Sequence, residues 1–101
     1  MSANRRSSTR HSVELSVHLG IQGTDHDATI RNLSLGGASL SFTRRIAMGE
    51  RVQLRFQVPT LEEAIEVAGT VRWSGDDSLG VQFDGLRARD VYALGKYFET
   101  L

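Results

Sequence analysis

The sequence predicts an all-β fold, namely a six-stranded antiparallel β-barrel followed by a C-terminal α-helix. Three observations support this prediction. Apolar and polar residues alternate with period two in several short segments, a pattern typical of half-buried strands. Glycine, aspartate and a single proline mark turns between these segments. Near the C terminus the apolar spacing changes to three and four residues, which indicates one amphipathic helix.

The strand pattern occurs six times. The first strand begins beside Val13 and ends at Ile21, and residues 23–26 form the turn that follows it. The later strands fall within residues 28–33, 38–42, 52–58, 65–73 and 79–83. In the fifth of these strands, alternation assigns Trp73 to the inward face and Arg72 to the outward face. Because closure removes unpaired strand edges, we expect the sheet to close into a barrel.

The helix is predicted over residues 87–100. Its expected apolar face carries Val91, Leu94 and Phe98, with Leu101 just beyond it. Asp84 or Gly85 is the expected cap region. We expect the helix to lie across one mouth or flank of the barrel.

Bulk composition excludes several function classes. The chain of 101 residues fits one domain, and its formal net charge of zero argues against a general DNA or RNA binder. It has no cysteines, and its three histidines lack metal-ligand spacing. Paired catalytic carboxylates, a Gly-x-Ser-x-Gly motif and a P-loop are absent, so we expect neither an enzyme nor a metal or cofactor. Without a signal peptide or membrane span, a cytoplasmic location is expected.

Residues 1–11 are predicted to form a flexible basic arm ahead of a domain at 12–101. This N-terminal arm contains Arg5, Arg6 and Arg10 and no acidic residue. The arginine fork fits pairs of phosphate oxygens, and it also fits the O6 and N7 acceptors of guanine. Taken alone, the segment also fits a solvated basic tail.

A second polar segment follows the second strand at residues 32–37. Asn32 offers a side-chain oxygen to a guanine N–H, and Ser34 offers a hydroxyl to a phosphate or a base edge. Gly36 and Gly37 mark a tight bend, and the missing Cβ of Gly37 allows a flat base to approach the backbone closely. Taken alone, this segment also fits an Asx-type turn.

The predicted topology brings the two segments together. The start of one strand and the end of its antiparallel partner lie at the same end of a sheet. Arg10 and Asn32 are therefore expected to be close in space although they are far apart in the sequence.

At these positions the sequence resembles the PilZ family, which carries an Arg-x-x-x-Arg motif followed about one hairpin later by Asp/Asn-x-Ser-x-x-Gly. The matching residues are Arg6 and Arg10, preceded by the basic Arg5, and then Asn32, Ser34 and Gly37. Residues 69–73 and 80–83 also look like late strands of that family. Asn32 stands where many members have aspartate, so one acceptor oxygen replaces two.

The resemblance implies a six-stranded barrel with a C-terminal helix that binds cyclic di-GMP, often as a stacked pair of molecules. In the family, the arm arginines contact phosphates and guanine edges, and the second motif holds a guanine against the barrel. His11, Arg72 and Trp73 are secondary candidates for ligand contacts. The implied function is a second-messenger receptor whose arm becomes ordered on the ligand and which signals through an unidentified partner protein, in settings such as motility or biofilm regulation.

Alternatives stay open. The same fold could serve as a protein-interaction adaptor that binds no nucleotide. A small barrel that binds single-stranded nucleic acid through the basic arm is a third hypothesis, although the net charge and the few outward aromatics weigh against it. The sequence leaves open whether one or two ligands bind and whether the protein is a monomer or a homodimer.

Overall fold

The structure, a computed structural model, describes residues 9–101. This part of the chain forms six strands and one helix in the predicted order: β1 (His11–Ile21), β2 (Thr24–Leu33), β3 (Gly37–Ser41), β4 (Arg51–Phe56), β5 (Ile65–Ser74), β6 (Ser78–Phe83) and α1 (Ala88–Glu99). The strands pair in the order β1-β2-β3-β6-β5-β4 and close into a barrel, with every neighbouring pair antiparallel. The predicted fold class is confirmed.

The core fills the barrel, and every strand contributes to it a large side chain at most 1% exposed. These residues are Leu19, Ile30, Leu40, Leu54, Ile65 and Leu79. They point inward because successive side chains of a strand face opposite sides of the sheet. Burying one such side chain stabilises the fold by about 1.5–3 kcal/mol.

Because neighbouring strands are antiparallel, the connections between them lie at two opposite ends of the barrel. At the arm end, defined here as the end at which β1, β3 and β5 begin, lie Arg10, the turn at 34–36, the connection at 57–64 and the start of the chain segment leading to α1. The opposite end holds the turns at 22–23 and 75–77 and the 42–50 connection.

Helix α1 packs at the arm end of the barrel. Thr60, in the 57–64 connection, donates a hydrogen bond from Oγ1 to the carbonyl oxygen of Ala93 at 2.7 Å. Leu94 and Tyr97 are buried in the core cluster. The part of the chain that the structure describes contains no helix long and apolar enough to cross a membrane.

The predicted helix face is correct at Leu94 and Phe98, but it is wrong at its other two residues. The buried residues of α1 are Asp90, Ala93, Leu94 and Tyr97, whereas Val91 is 39% and Leu101 58% exposed. Asp90 can be buried because Arg87 and Arg89 both contact its carboxylate, at 3.2 and 3.4 Å. The buried face of α1 therefore includes this charged residue and differs from the purely apolar face that was predicted.

The N-cap of α1 is Arg87, three residues beyond the expected Asp84 and two beyond Gly85. Its side chain makes no capping hydrogen bond. Asp84 instead forms an ion pair with Arg51 of β4.

Trp73 lies on the outer face of β5, so the predicted inward orientation is wrong. Between β5 and β6, Val71 pairs with Val81 while Trp73 pairs with Gly80, which leaves Arg72 as an extra residue in β5. Such a bulge shifts the alternation by one residue and moves the following side chain to the other face. Trp73 is accordingly 44% exposed.

The turn between β1 and β2 is also tighter than the predicted 23–26. Gln22 and Gly23 both have positive φ angles, 52° and 82°. Two such residues are typical of a type I′ hairpin turn. Residues 24–26 therefore belong to β2.

Candidate functional site

Five paired residues cross the outer face of the barrel near its arm end. Asn32 of β2 pairs with Ser12 of β1 on one side and with Ser39 of β3 on the other. Ser39 pairs with Gly80 of β6, and Gly80 pairs with Trp73 of β5. We call this set, Ser12, Asn32, Ser39, Gly80 and Trp73, the outer row. It is polar in β1 to β3 and aromatic in β5.

Ser34 builds the turn that joins β2 to β3. Its Oγ accepts hydrogen bonds from the backbone N–H groups of Gly36 and Gly37, each at 3.2 Å, and donates to the carbonyl oxygen of Gly37 at 3.3 Å. The residue is only 2% exposed. In this structure the Ser34 hydroxyl therefore holds the loop in shape.

Gly37 is required by the packing of β3 against β6. A Cβ at this position would overlap the carbonyl oxygen of Val81. Gly36 is exposed, and its carbonyl oxygen accepts a hydrogen bond from the N–H of Phe83 at 2.8 Å. The two glycines thus attach the turn to the end of β6.

A shallow cavity of about 290 Å³ opens beside the outer row. The residues that line it are Arg10, Ser34, Gly36, Gly37, Arg72, Trp73, Gly80, Val81 and Gln82. Arg10 reaches it from the start of β1, and its Nη1 lies 3.4 Å from Oγ of Ser39. The cavity therefore joins the arm, the 32–37 segment and the bulge of β5.

The cavity is cationic. None of its lining residues, all within the described part of the chain, is acidic. Arg10 and Arg72 form no ion pair with any acidic side chain in residues 9–101, whereas Arg45 and Arg55 are paired with Asp76 and Glu66. Two guanidinium groups are thus left for an anionic ligand.

The indole ring of Trp73 lies against the backbone of Gly80. A Cβ at residue 80 would overlap this ring, so glycine is required for the indole to lie there. The ring is therefore held beside Arg72 as a half-exposed flat surface. Such a surface can stack on a nucleobase.

The structure brings together most of the predicted site residues that it describes. Arg10, Ser34, Gly36 and Gly37 line the cavity together with the secondary candidates Arg72 and Trp73. Arg5 and Arg6 lie outside the described residues.

Two predicted residues stand apart from the cavity lining. Asn32 lies beside the cavity in the outer row, and its half-buried side chain makes no hydrogen bond within residues 9–101. His11 belongs to β1, and its ring stacks on Phe98 of the helix.

Among the site residues that were not predicted from the sequence, two have a clear role. Ser39 contacts Arg10, and Gly80 supports Trp73. Alternation in residues 38–41 already places Ser39 outward, next to the buried Ala38 and Leu40. The role of Gly80 depends on the bulge in β5, which alternation alone does not reveal.

No group of three or more potential metal ligands occurs among residues 9–101. Within that range, His18 pairs with Asp27 at 3.5 Å, and His26 makes an edge contact with Phe42. The described site therefore consists of cationic, polar and aromatic groups on the outside of a closed antiparallel barrel.

This combination of barrel, arm and turn defines a class of small β-barrel domains. A family model described as PilZ domain matches residues 4–99. The chain belongs to the PilZ domain family. No curated protein matches the sequence significantly.

Solved structures share the fold at low sequence identity. The Bacillus subtilis inhibitor of motility MotI/DgrA superposes with a TM-score of 0.76 at 20% identity, covering 94% of this chain and 52% of that one. The PilZ domain of CeSA from a cellulose-synthesizing bacterium gives 0.73 at 13% identity, covering 92% and 98%. The Borreliella burgdorferi PlzA protein, solved in complex with c-di-GMP, gives 0.61 at 20% identity, covering 97% and 38%. The chain thus spans about half of MotI/DgrA and less of PlzA.

Proposed function

We propose that this chain is a receptor for cyclic di-GMP and that it acts by binding rather than by catalysis. The observation that carries the proposal is the cavity at which Arg10, the 34–36 turn, Arg72 and Trp73 meet. None of the described residues that line this cavity is acidic. Membership of the PilZ family and the c-di-GMP complex of the similarly folded PlzA support the same ligand.

Each chemical part of the ligand has a complementary group in the site. The guanidinium groups of Arg10 and Arg72, which have no acidic partner within residues 9–101, suit phosphates, and they also suit the O6 and N7 edge of guanine. The amide oxygen of Asn32 can accept a guanine N–H. The Trp73 indole offers a stacking surface, worth about 1–3 kcal/mol per base at comparable sites.

The N-terminal arm is proposed to complete the site. Arg5 and Arg6 would close over a ligand that is already held at Arg10 and the turn. The ordering entropy of the arm would be offset by charge-assisted hydrogen bonds to the phosphates. The covered ligand and the ordered arm would together form a surface that a partner protein recognises.

A stacked pair of ligands is compatible with the charges available. Two cyclic dinucleotides carry four phosphates, and neutralising them requires several cations at one place. Arg5, Arg6, Arg10 and Arg72 would supply four positive charges. We therefore propose two ligands per chain.

Isothermal titration calorimetry with cyclic di-GMP tests the proposal, and separate titrations with cyclic di-AMP and GTP are the controls. We expect selective binding of cyclic di-GMP with a Kd in the low micromolar range or tighter, which corresponds to about 8 kcal/mol or more. A stoichiometry of one would reject the stacked pair but keep the receptor. A flat titration of folded protein would reject the receptor and favour an adaptor that binds no nucleotide.

Two arginine variants provide a matched comparison. Arg10→Ala removes a guanidinium from the cavity, and Arg44→Ala removes one from the 42–50 connection at the opposite end. Both change the net charge equally, so a nonspecific electrostatic effect would weaken both alike. We expect at least tenfold weaker binding for Arg10→Ala only. Equal affinity of Arg10→Ala and the parent would contradict the proposed site.

A further inference from the structure

The first residue of β1 is stacked on the C-terminal helix. The rings of His11 and Phe98 lie with their centroids 4.0 Å apart and their planes inclined by 17°. Both residues are half-buried. Aromatic side-chain pairs stabilise their arrangement beyond the area that they bury.

The stack occurs at the junction between the arm and the barrel. His11 directly follows Arg10, and it pairs with Leu33, the residue between Asn32 and Ser34. On the other side, Phe98 follows Tyr97, which is anchored in the core. The C-cap residue Thr100 also donates a hydrogen bond from Oγ1 to the carbonyl oxygen of Tyr97 at 2.6 Å. A firmly held helix end therefore supports the base of the arm.

We propose that His11 is a positioning residue for the ligand, acting through its stack on Phe98. This inference rests on the proposed function. The stack fixes the direction in which the chain leaves the barrel, so that Arg10 lies over Ser39 at the cavity before any ligand arrives. Pre-organising Arg10 reduces the conformational entropy lost on binding.

The geometry favours this role over a direct contact between His11 and the ligand. The His11 ring lies against the ring of Phe98, and His11 is not among the residues that line the cavity. A role in stacking requires only a flat ring, whereas a direct contact requires an imidazole nitrogen. The two roles therefore predict different outcomes for a substitution by phenylalanine.

The test measures cyclic di-GMP affinity by calorimetry for the parent, His11→Ala, His11→Phe, Phe98→Leu and the His11→Ala/Phe98→Leu double variant. Tyr92→Ala is the control, because Tyr92 is an aromatic residue of the same helix that is 70% exposed. Far-UV circular dichroism and a thermal melt check that each variant is folded.

We expect about three- to tenfold weaker binding for His11→Ala and for Phe98→Leu, the range that a single aromatic pair can supply. The double variant should bind no more weakly than either single variant, because both remove the same stack. His11→Phe should bind within about twofold of the parent, and Tyr92→Ala should be unchanged.

Three results would overturn the inference. If the parent binds and folded His11→Ala binds equally well, the stack does not position the arm. If His11→Phe is as weak as His11→Ala while Phe98→Leu binds normally, the imidazole contacts the ligand directly. If the parent itself does not bind, the proposed function fails and the positioning role fails with it.

Discussion

At the scale of single residues, the two polar side chains of the 32–37 segment have different surroundings. Ser34 is buried, and its hydroxyl makes three hydrogen bonds to the turn backbone. Asn32 makes no side-chain hydrogen bond within residues 9–101 and lies in the outer row. Ser34 therefore supports the turn, whereas Asn32 is the residue that we propose contacts the ligand.

This difference predicts stability effects of different size for two alanine variants. Ser34→Ala should lower the free energy of unfolding by about 1–2 kcal/mol, because two backbone N–H groups lose their acceptor. Asn32→Ala should change it by less than about 0.5 kcal/mol while weakening ligand binding. Urea denaturation measures both, and Ser41→Ala on the exposed end of β3 is the matched control. Equal stability of Ser34→Ala and Ser41→Ala would contradict the structural role of Ser34.

The role of Ser34 also shows what a residue pattern leaves open. The sequence pattern indicated a tight turn, and we predicted the Ser34 hydroxyl as a ligand contact. Which partner the hydroxyl takes depends on how the turn closes, and here the backbones of Gly36 and Gly37 take it. Whether a side chain bonds to the local backbone or to a ligand depends on three-dimensional geometry, which the spacing of residues in the sequence does not specify.

At the scale of secondary-structure elements, alternation predicted all six strands in the described chain because each buries one face in the barrel. It failed at the irregularity between β5 and β6. The extra residue Arg72 in β5 moved Trp73 from the predicted core to the outer face. A bulge depends on pairing with the neighbouring strand, which is a property of two segments rather than of one.

The helix shows a second limit of prediction from pattern. Its existence followed from the change in apolar spacing, and its bounds at Ala88–Glu99 lie close to the predicted 87–100. Its face followed only in part: Leu94 and Phe98 pack against the core as predicted, but the buried stripe also includes the charged Asp90. A charged side chain can be buried only when it has ion-pair or hydrogen-bond partners. A hydrophobicity pattern does not reveal those partners.

An ion pair between elements gives a prediction about pH. Arg51 of β4 donates to Asp84 after β6, with an additional bond to Thr70 of β5 at 2.8 Å. The hydrogen bond from Arg51 holds the pKa of the Asp84 carboxyl below its usual value. Because the folded-state pKa is lowered, the stabilisation is complete at neutral pH and is lost as the pH falls below about 4.

The measurement compares the parent with Asp84→Asn by urea denaturation between pH 7 and pH 2.5. The parent should be more stable at pH 7, and the difference should shrink below about pH 4 as Asp84 of the unfolded parent becomes protonated. A difference that stays constant across this range would show that the charge of Asp84 does not stabilise the fold. High salt at pH 7 should reduce the same difference, because the pair is exposed.

At the scale of the whole molecule, the barrel gathers its candidate functional groups at the arm end. Arg10, the 34–36 turn and helix α1 all lie there, because antiparallel strands return the chain to the same end. This convergence was predictable from strand order alone. The contributions of Ser39 and Gly80 were not predicted: Ser39 pairs with Asn32 across the β2–β3 hairpin, and the role of Gly80 depends on the pairing of β6 with the bulged β5.

Most, though not all, of the arginines outside the cavity form ion pairs within residues 9–101. Arg45, Arg51 and Arg55 are neutralised by acidic partners away from the cavity. Arg10 and Arg72 have no acidic partner within residues 9–101 and face the cavity. A protein with zero formal net charge can therefore present a local site for an anion.

The most direct test of the central claim is a ¹H–¹⁵N NMR titration of the isotope-labelled chain with cyclic di-GMP. We expect the largest shifts at the amides of Arg10, Asn32, Ser39 and Gly80 and at the indole N–H of Trp73, with small shifts in the turns at 22–23 and 75–77. Shifts confined to the opposite end, or no shifts at saturating ligand, would contradict the claim that this cavity is a cyclic dinucleotide site.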